Sequence, residues 1–214
     1  MQAAAGLRQT EGVTRPRAMR SLRAVAVFCG SSPGARPAYA EAAQQLGATI
    51  AAMGATVVYG GASVGLMGAV ADGALGAGGQ VYGVLTSALA SRELEHPGLT
   101  ELDVVATMHE RKAKMADRAD AFVLAPGGIG SLDEFMEVLT WFQLGIHDKP
   151  CGVLNTSGYF DPLLDFVDHA VAERFVADEL RRSVVVGEDP GALLEAMAAV
   201  PSLVGHKWLH EHDR

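Results

Sequence analysis

The stretch AFVLAPGGIGSLDEF, residues 121–135, joins a short apolar run, a glycine-rich loop and the start of a helical pattern. An apolar run that ends at Pro-Gly-Gly and gives way to helical periodicity is typical of a strand followed directly by a helix. We predict that this strand–loop–helix unit recurs along the chain and builds the fold.

Short apolar or β-branched runs do alternate with helix-like segments over most of the chain. The predicted strands are 24–29, 56–59, 80–85, 102–106, 121–125, 151–154 and 183–186, and the predicted helices are 37–53, 65–77, 108–118, 131–144, 160–175 and 190–199. Alternation of this kind favours a parallel sheet with helices on both faces, because parallel strands need helical crossovers. The expected fold class is therefore α/β, a doubly wound, Rossmann-like sheet.

A chain of 214 residues fits one domain with a sizeable core. We expect residues 1–21 to be a disordered extension, residues 22–200 to form the single domain, and residues 201–214 to be a polar C-terminal tail.

Composition excludes several classes of function. The formal net charge is −8, and the sequence has no cluster of Lys and Arg residues that would indicate a nucleic-acid-binding surface. No apolar run approaches the roughly 18 residues that a membrane span needs. Cys29 and Cys151 lie in apolar runs and are expected to be buried free thiols of a cytoplasmic protein. The seven His residues show no metal-ligand spacing, so no metal site is expected.

The loop PGGIGS is the strongest local candidate for a ligand site, because ligands of doubly wound folds bind at the carboxyl ends of the strands. Gly127, Gly128 and Gly130 would let an anion approach the free amides of a helix start, where the Ser131 hydroxyl could also donate. The same letters, SLDE, fit a capping box in which Ser131 and Glu134 satisfy backbone donors. The local sequence leaves both interpretations open.

A second candidate is the helix that contains MHERK, residues 108–112. Its inward face is predicted to carry Met108, Arg111, Lys112 and Met115. An Arg on a buried face usually has an anionic partner, which here could be an internal carboxylate or the phosphate of a ligand. On the opposite side, Glu110 and Lys114 are expected to form an ordinary surface pair.

The predicted helix 131–144 is apolar nearly all round. One face can cover the sheet, and the other needs a second cover. We expect a homodimer interface on this helix, with the ligand pocket near the boundary between the subunits.

MHERK followed by PGGIGSLDE, residues 126–134, resembles the paired MHxRK and PGGxGTxxE motifs of the LONELY GUY (LOG) family, the cytokinin riboside 5′-monophosphate phosphoribohydrolases. CGSS (29–32), YGGASVGLMG (59–68) and TWFQLGIHDKP (140–150) support the resemblance, which covers about residues 22–190. Two positions depart from the pattern: Ser131 replaces the usual Thr, and Asp133 stands where many relatives have Glu. Many relatives carry the name lysine decarboxylase, but nothing in this sequence suggests a pyridoxal phosphate site.

The resemblance implies an enzyme that hydrolyses the N-glycosidic bond of N6-modified adenosine 5′-monophosphates, and of AMP, without metal or cofactor. It implies catalytic roles for Arg111 and Glu134. The implied substrate contacts are Glu93, Met108, Lys112, Gly127, Gly128, Ile129, Gly130, Ser131 and Asp133. It also implies a homodimer or a larger assembly. The alternative is a non-catalytic nucleotide-binding or carrier protein on the same fold, which would be expected to lack the Arg and Glu pair.

Overall fold

The computed structural model describes residues 19–90 and 95–201, and the seven strands in these ranges form one parallel sheet. The strands are β1 Ala24–Phe28, β2 Thr56–Tyr59, β3 Gln80–Thr86, β4 Glu101–Val105, β5 Ala121–Leu124, β6 Cys151–Leu154 and β7 Val184–Gly187. Every predicted strand is present, with its ends within about two residues of the prediction. The central strands β1, β5 and β6 are buried on both faces, which is why they read as unbroken apolar runs.

Helices connect the strands as predicted, with short additions. They are α1 Pro37–Ala52, α2 Gly65–Gly76, α3 Ser87–Ala90, α4 Met108–Arg118, α5 Ile129–Gln143, α6 Asp161–Ala172, α7 Asp178–Ser183 and α8 Pro190–Ala199, with a 3₁₀ turn at Thr156–Gly158. The sequence did not predict α3, α7 or the 3₁₀ turn, because elements of three to six residues are too short to show a helical period.

The strand order is β4-β3-β2-β1-β5-β6-β7, and all neighbours are parallel. The chain runs outward from β1 in one direction as far as β4 and then returns to lay β5 on the other side of β1. This reversal opens a crevice between the loops that follow β1 and β5, where doubly wound folds bind ligands. The two loops meet there, because the Gly30 amide donates to the Pro126 carbonyl over 3.0 Å.

Two apolar layers cover the sheet, one on each face. The first packs residues of α1, α2 and α8 against the strands, and the second packs residues of α4, α5 and the start of α6. The doubly wound, Rossmann-like prediction is confirmed by this arrangement. Cys29 and Cys151 are buried free thiols, and burial raises the pKa of Cys151 to about 12.

The expected N-terminal extension and C-terminal tail lie at or beyond the ends of the described ranges. Arg20, which the sequence assigned to the extension, donates from Nε to the Val200 carbonyl over 2.9 Å and pairs with Asp148 at 3.0 Å. The rest of the expected extension, the expected tail beyond residue 201, and Glu93 lie outside the described residues. Within the described ranges, no helix has the length and apolar character to cross a membrane.

Candidate active site

A capping box fixes the first residue of α4, and it thereby fixes the position of Arg111 on the first turn of the helix. The Glu110 amide donates to Thr107 Oγ1 over 3.1 Å, and the Thr107 amide donates back to Glu110 Oε2 over 3.3 Å. The predicted surface pair of Glu110 with Lys114 is therefore wrong. Lys114 instead pairs with Asp103 on β4. A capping box of this kind contributes about 1 kcal/mol and sets where the helix begins.

Arg111 is buried beneath the carboxyl ends of β2 and β3. Its Nε donates to the Val84 carbonyl over 2.8 Å, and its Nη2 donates to the Gly60 carbonyl over 3.4 Å. Its Nη1 donates to Glu134 Oε1 on α5 over 2.9 Å. Gly60 makes this possible, because a Cβ at that position would overlap the guanidinium. Of the two partners that the sequence left open for Arg111, the structure shows the internal carboxylate.

Glu134 is a buried carboxylate held beside a fixed cation. Burial raises the pKa of the Glu134 carboxyl, the Arg111 guanidinium opposes that shift, and the nearby Asp133 carboxylate adds to it. A carboxylate with a raised pKa that still carries an ion pair is suited to accept a proton near neutral pH.

Lys112, next along α4, is held by α5 through two carboxylates. Its Nζ lies 3.1 Å from Asp133 Oδ2 and 3.0 Å from Glu137 Oε2. Burial opposes the charge of Lys112, but the close contacts with the Glu137 and Asp133 carboxylates outweigh it and raise the pKa of the ammonium group. Five side chains, two on α4 and three on α5, therefore form two adjacent sets of ion pairs.

The glycine loop presents free amides at the start of α5. The helix begins at Ile129 with Gly128 as its N-cap, and no side chain caps it. Among the described residues, the amides of Gly128, Ile129 and Gly130 have no acceptor. These N–H groups and the helix dipole together favour an anion.

The capping-box interpretation of SLDE is wrong. A capping box needs its Ser at the N-cap position, but Ser131 is the third residue of the helix and is buried. Its hydroxyl packs against Gly127, where a Cβ would overlap Ser131 Oγ. Glu134 is freed from the cap and faces Arg111 instead.

A cavity of about 430 Å³ adjoins this loop at the crevice between β1 and β5. It is lined by Ser31, Ser32, Tyr39, Gly127, Gly128 and Tyr159, among others. The cavity lies where the topology predicts a ligand, beside the free amides of the glycine loop.

Most of the predicted site residues come together in space. Arg111, Lys112, Asp133 and Glu134 form the ion pairs between α4 and α5, and Gly127 through Ser131 form the adjoining loop. Met108 begins α4 and is 42% exposed, so it is not on the buried part of the predicted stripe.

Two further residues of the site were missed by the sequence reasoning. Glu137 binds Lys112, and the Tyr159 hydroxyl donates to the Gly127 carbonyl over 2.6 Å. Tyr159 follows β6, and the rule that ligands bind at strand ends would have pointed to its loop had it been applied beyond β5. Across the two described ranges, no group of three His, Cys, Asp or Glu side chains could hold a metal ion.

Solved structures share the fold of this chain. A molybdenum cofactor binding protein from Rippkaea orientalis matches with a TM-score of 0.60 and 23% identity, covering 78% of this chain and 90% of that protein. A molybdenum cofactor carrier protein from Chlamydomonas reinhardtii matches with a TM-score of 0.59 and 22% identity, covering 83% of this chain and 94% of that protein. At this level of identity the likeness shows the fold alone.

Sequence relatives are much more similar. The profile of the family described as "Possible lysine decarboxylase" matches residues 67–197. A cytokinin riboside 5′-monophosphate phosphoribohydrolase of Rhodococcoides fascians is 47% identical over 181 residues, 84% of this chain and 90% of that protein. A probable enzyme of the same name from Oryza sativa subsp. japonica is 46% identical over 177 residues, 83% of this chain and 71% of that protein. A cytokinin riboside 5′-monophosphate phosphoribohydrolase of Arabidopsis thaliana is 50% identical over 161 residues, 75% of this chain and 74% of that protein. With the paired motifs in place on α4 and α5, the chain belongs to the LONELY GUY family of cytokinin riboside 5′-monophosphate phosphoribohydrolases.

Proposed function

We propose that this protein hydrolyses the N-glycosidic bond of N6-modified adenosine 5′-monophosphates, and of AMP, to the free base and ribose 5-phosphate. The observation that carries the proposal is the buried Arg111–Glu134 pair beside the free amides of α5. A carboxylate for the sugar and an anion site for the phosphate lie on one helix, which suits a substrate that contains both groups. The names of the 46–50% identical relatives support the same reaction class.

Breaking the bond between ribose and base develops oxocarbenium character on the sugar, as in glycoside hydrolysis. The Glu134 carboxylate would stabilise that charge and accept a proton from the attacking water. The C1′–N bond breaks, its electron pair leaves with the base, and water supplies hydroxide to C1′ and a proton to the products. Arg111 would position the nucleotide and Glu134 relative to each other.

The phosphate does not react, but its binding orients the sugar. The amides of Gly128, Ile129 and Gly130 and the Ser131 hydroxyl are the proposed donors, with Lys112 as the nearby counter-charge. Binding energy from a non-reacting group lowers the barrier when it fixes the reacting carbon against the carboxylate. Met108, Gly127 and Asp133 would line the same substrate site, and the family motif adds Glu93.

The test incubates the protein with AMP and with isopentenyladenosine 5′-monophosphate and follows free base by chromatography. We expect base release from both, lost in the Glu134→Gln variant. Tight nucleotide binding without base release from either substrate would support the carrier alternative. The ratio of the two kcat/KM values then shows whether AMP or the N6-modified nucleotide is preferred.

We also propose a cytoplasmic homodimer. An apolar groove runs between α5 and α6–α7, lined in part by Met136, Leu139, Thr140 and Val167. No residue of α6 is fully buried, and Phe166 and Phe175 are 64% and 85% exposed, so the described part of the chain leaves this side uncovered. A second copy would cover it. The two buried free thiols fit a reducing compartment.

The dimer is tested by sedimentation of wild type and of Thr140→Arg, which places a charge in the groove without disturbing the core. We expect a dimer for wild type and a monomer for the variant. Val104→Arg, on an exposed apolar residue of the edge strand β4, is the matched control and should stay dimeric. A monomeric wild type at micromolar concentration would refute the proposal.

A further inference from the structure

Tyr159 makes one contact that ties a separate loop to the glycine loop. Its hydroxyl donates to the Gly127 carbonyl over 2.6 Å, although the two residues lie 32 positions apart. The ring is 40% exposed and packs edge-on against two aromatic rings, Tyr39 at 5.4 Å and Phe160 at 4.8 Å between ring centres. The hydroxyl therefore reaches Gly127 from a fixed direction.

The accepted hydrogen bond acts on the peptide that joins Gly127 to Gly128. A trans peptide is planar, and its carbonyl and its N–H point in opposite directions. Fixing the Gly127 carbonyl toward Tyr159 therefore directs the Gly128 N–H away from Tyr159. That N–H has no acceptor within the described part of the chain, and it belongs to the N-cap residue directly before α5. Glycine on both sides of the peptide would otherwise let the plane rotate easily.

The turn that carries Tyr159 is built at a conformational cost. Ser157 has φ 54° and the following Gly158 has φ 69°, and a non-glycine residue rarely adopts the left-handed region because its Cβ comes too close to the following carbonyl oxygen. Asn155 compensates by accepting from the Phe160 amide over 2.7 Å and donating to Asp161 Oδ1 over 2.7 Å. Strained turns of this type persist where the surrounding structure enforces them and often support a functional group.

On the basis of the function proposed above, we propose that Tyr159 is a positioning residue for the phosphate site. Its hydroxyl holds the Gly127–Gly128 peptide so that the Gly128 N–H points at the phosphate of the substrate. Tyr159 does not contact the reacting atoms and acts through the loop.

The test compares wild type with Tyr159→Phe, which removes the hydroxyl and keeps the ring packing. Dissociation constants are measured by calorimetry for AMP, ribose 5-phosphate and adenosine, with Glu134→Gln added to each protein so that AMP is not hydrolysed during the titration. One neutral hydrogen bond corresponds to about a three- to tenfold effect, so we expect AMP and ribose 5-phosphate to bind that much more weakly. Adenosine, which lacks the phosphate, should bind both proteins equally. The KM for AMP should rise by the same factor as its dissociation constant.

Tyr82→Phe is the matched control. It also removes a phenol hydrogen bond, in this case to Asp103 on the edge strand β4. We expect no change in nucleotide binding for this variant. If Tyr159→Phe weakens adenosine and AMP by the same factor, the effect is general and the positioning role is wrong. If it weakens neither, the role is also wrong. A wild type that binds AMP but releases no base would refute the proposed reaction, while the binding comparison would still decide the role of Tyr159.

Discussion

Arg111 and Glu134 form an ion pair with 2.9 Å between Nη1 and Oε1, and their side chains are only 8% and 11% exposed. Through its other donors, Arg111 also binds the carbonyls of Gly60 and Val84. The pair therefore joins α4 and α5 to the ends of two strands while it holds a carboxylate at the ligand crevice. Removing one partner of a buried pair leaves an uncompensated charge, so activity and stability are linked at this site.

Glu134→Gln separates these two roles. The amide oxygen of Gln can still accept from Arg111, but it can neither stabilise a cationic sugar by charge nor accept a proton from water. We expect base release to fall at least about a hundredfold. We expect a loss of about 1–2 kcal/mol of stability, which is about 2–8 °C in melting temperature for a chain of this size. Chromatography of the free base and thermal unfolding measure the two effects.

The control for this substitution is Glu195→Gln, on the exposed side of α8. It should change neither activity nor melting temperature. A Glu134→Gln protein that unfolds much earlier but keeps its turnover would make Glu134 a structural residue only.

Gly60→Ala tests the fixed position of Arg111. The added Cβ would overlap the guanidinium and displace it from Glu134. We expect kcat/KM to fall at least tenfold, because small displacements of catalytic groups are costly. Gly76→Ala is the control, since a Cβ at the end of α2 meets nothing within 4 Å and Ala is the better helix former. Equal activity of Gly60→Ala and wild type would show that Arg111 need not be fixed there.

The doubly wound parallel sheet could be predicted because its strands and their helical connections follow from local patterns. Strands buried on both faces appear as continuous apolar runs, and helix-length spacers between them impose parallel pairing. The sequence prediction started this helix at Ser131, because Ser131 and Glu134 match the S-x-x-E signature of a helix start. In the structure the helix starts at Ile129, and a glycine is its N-cap. Gly128 adopts φ −99° and ψ −157°, the extended backbone of an N-cap, three residues before Ser131.

The partners within the site were beyond local sequence. Arg111 and Glu134 are 23 residues apart, and the choice between an internal carboxylate and a ligand phosphate depends on how α4 and α5 pack. The Tyr159 contact joins loops that follow different strands, so only the strand order brings it to Gly127. Residue types and spacing predicted the candidate site, and the three-dimensional arrangement shows which of its side chains contact each other.

The pH dependence of kcat/KM provides a third prediction. In the proposed mechanism activity requires the ionised Glu134 carboxylate, whose pKa burial raises, so the acid limb of the profile should lie above the range of an ordinary Glu. The Asp133 carboxylate contributes to that raised pKa. Asp133→Asn should therefore move the acid limb to lower pH. Asp178→Asn, an exposed carboxylate of α7, should leave it unchanged. A shift to higher pH would contradict this account of the electrostatics.

The fourth prediction concerns stability and rests on His147, which is packed between Phe122 and Phe142. Its Nε2 donates to the Val138 carbonyl of α5 over 2.8 Å, and its Nδ1 accepts from the Lys149 amide over 3.1 Å. Protonation of Nδ1 would break the second bond. Burial lowers the pKa of His147, and the Val138 hydrogen bond only partly opposes the shift.

Because the pKa of His147 is lower in the folded protein than in the unfolded chain, the unfolded chain binds more protons between the two values. Stability therefore rises with pH through that window and is lost as pH falls below about 6.5, the ordinary value for His. Urea unfolding at pH 7.5 and at pH 5.5 should show a larger loss of unfolding free energy for wild type than for His147→Gln, which cannot titrate. His109→Gln removes an exposed imidazole and should lose as much as wild type. If the His147→Gln protein loses as much stability as wild type on acidification, the buried imidazole does not set the pH dependence.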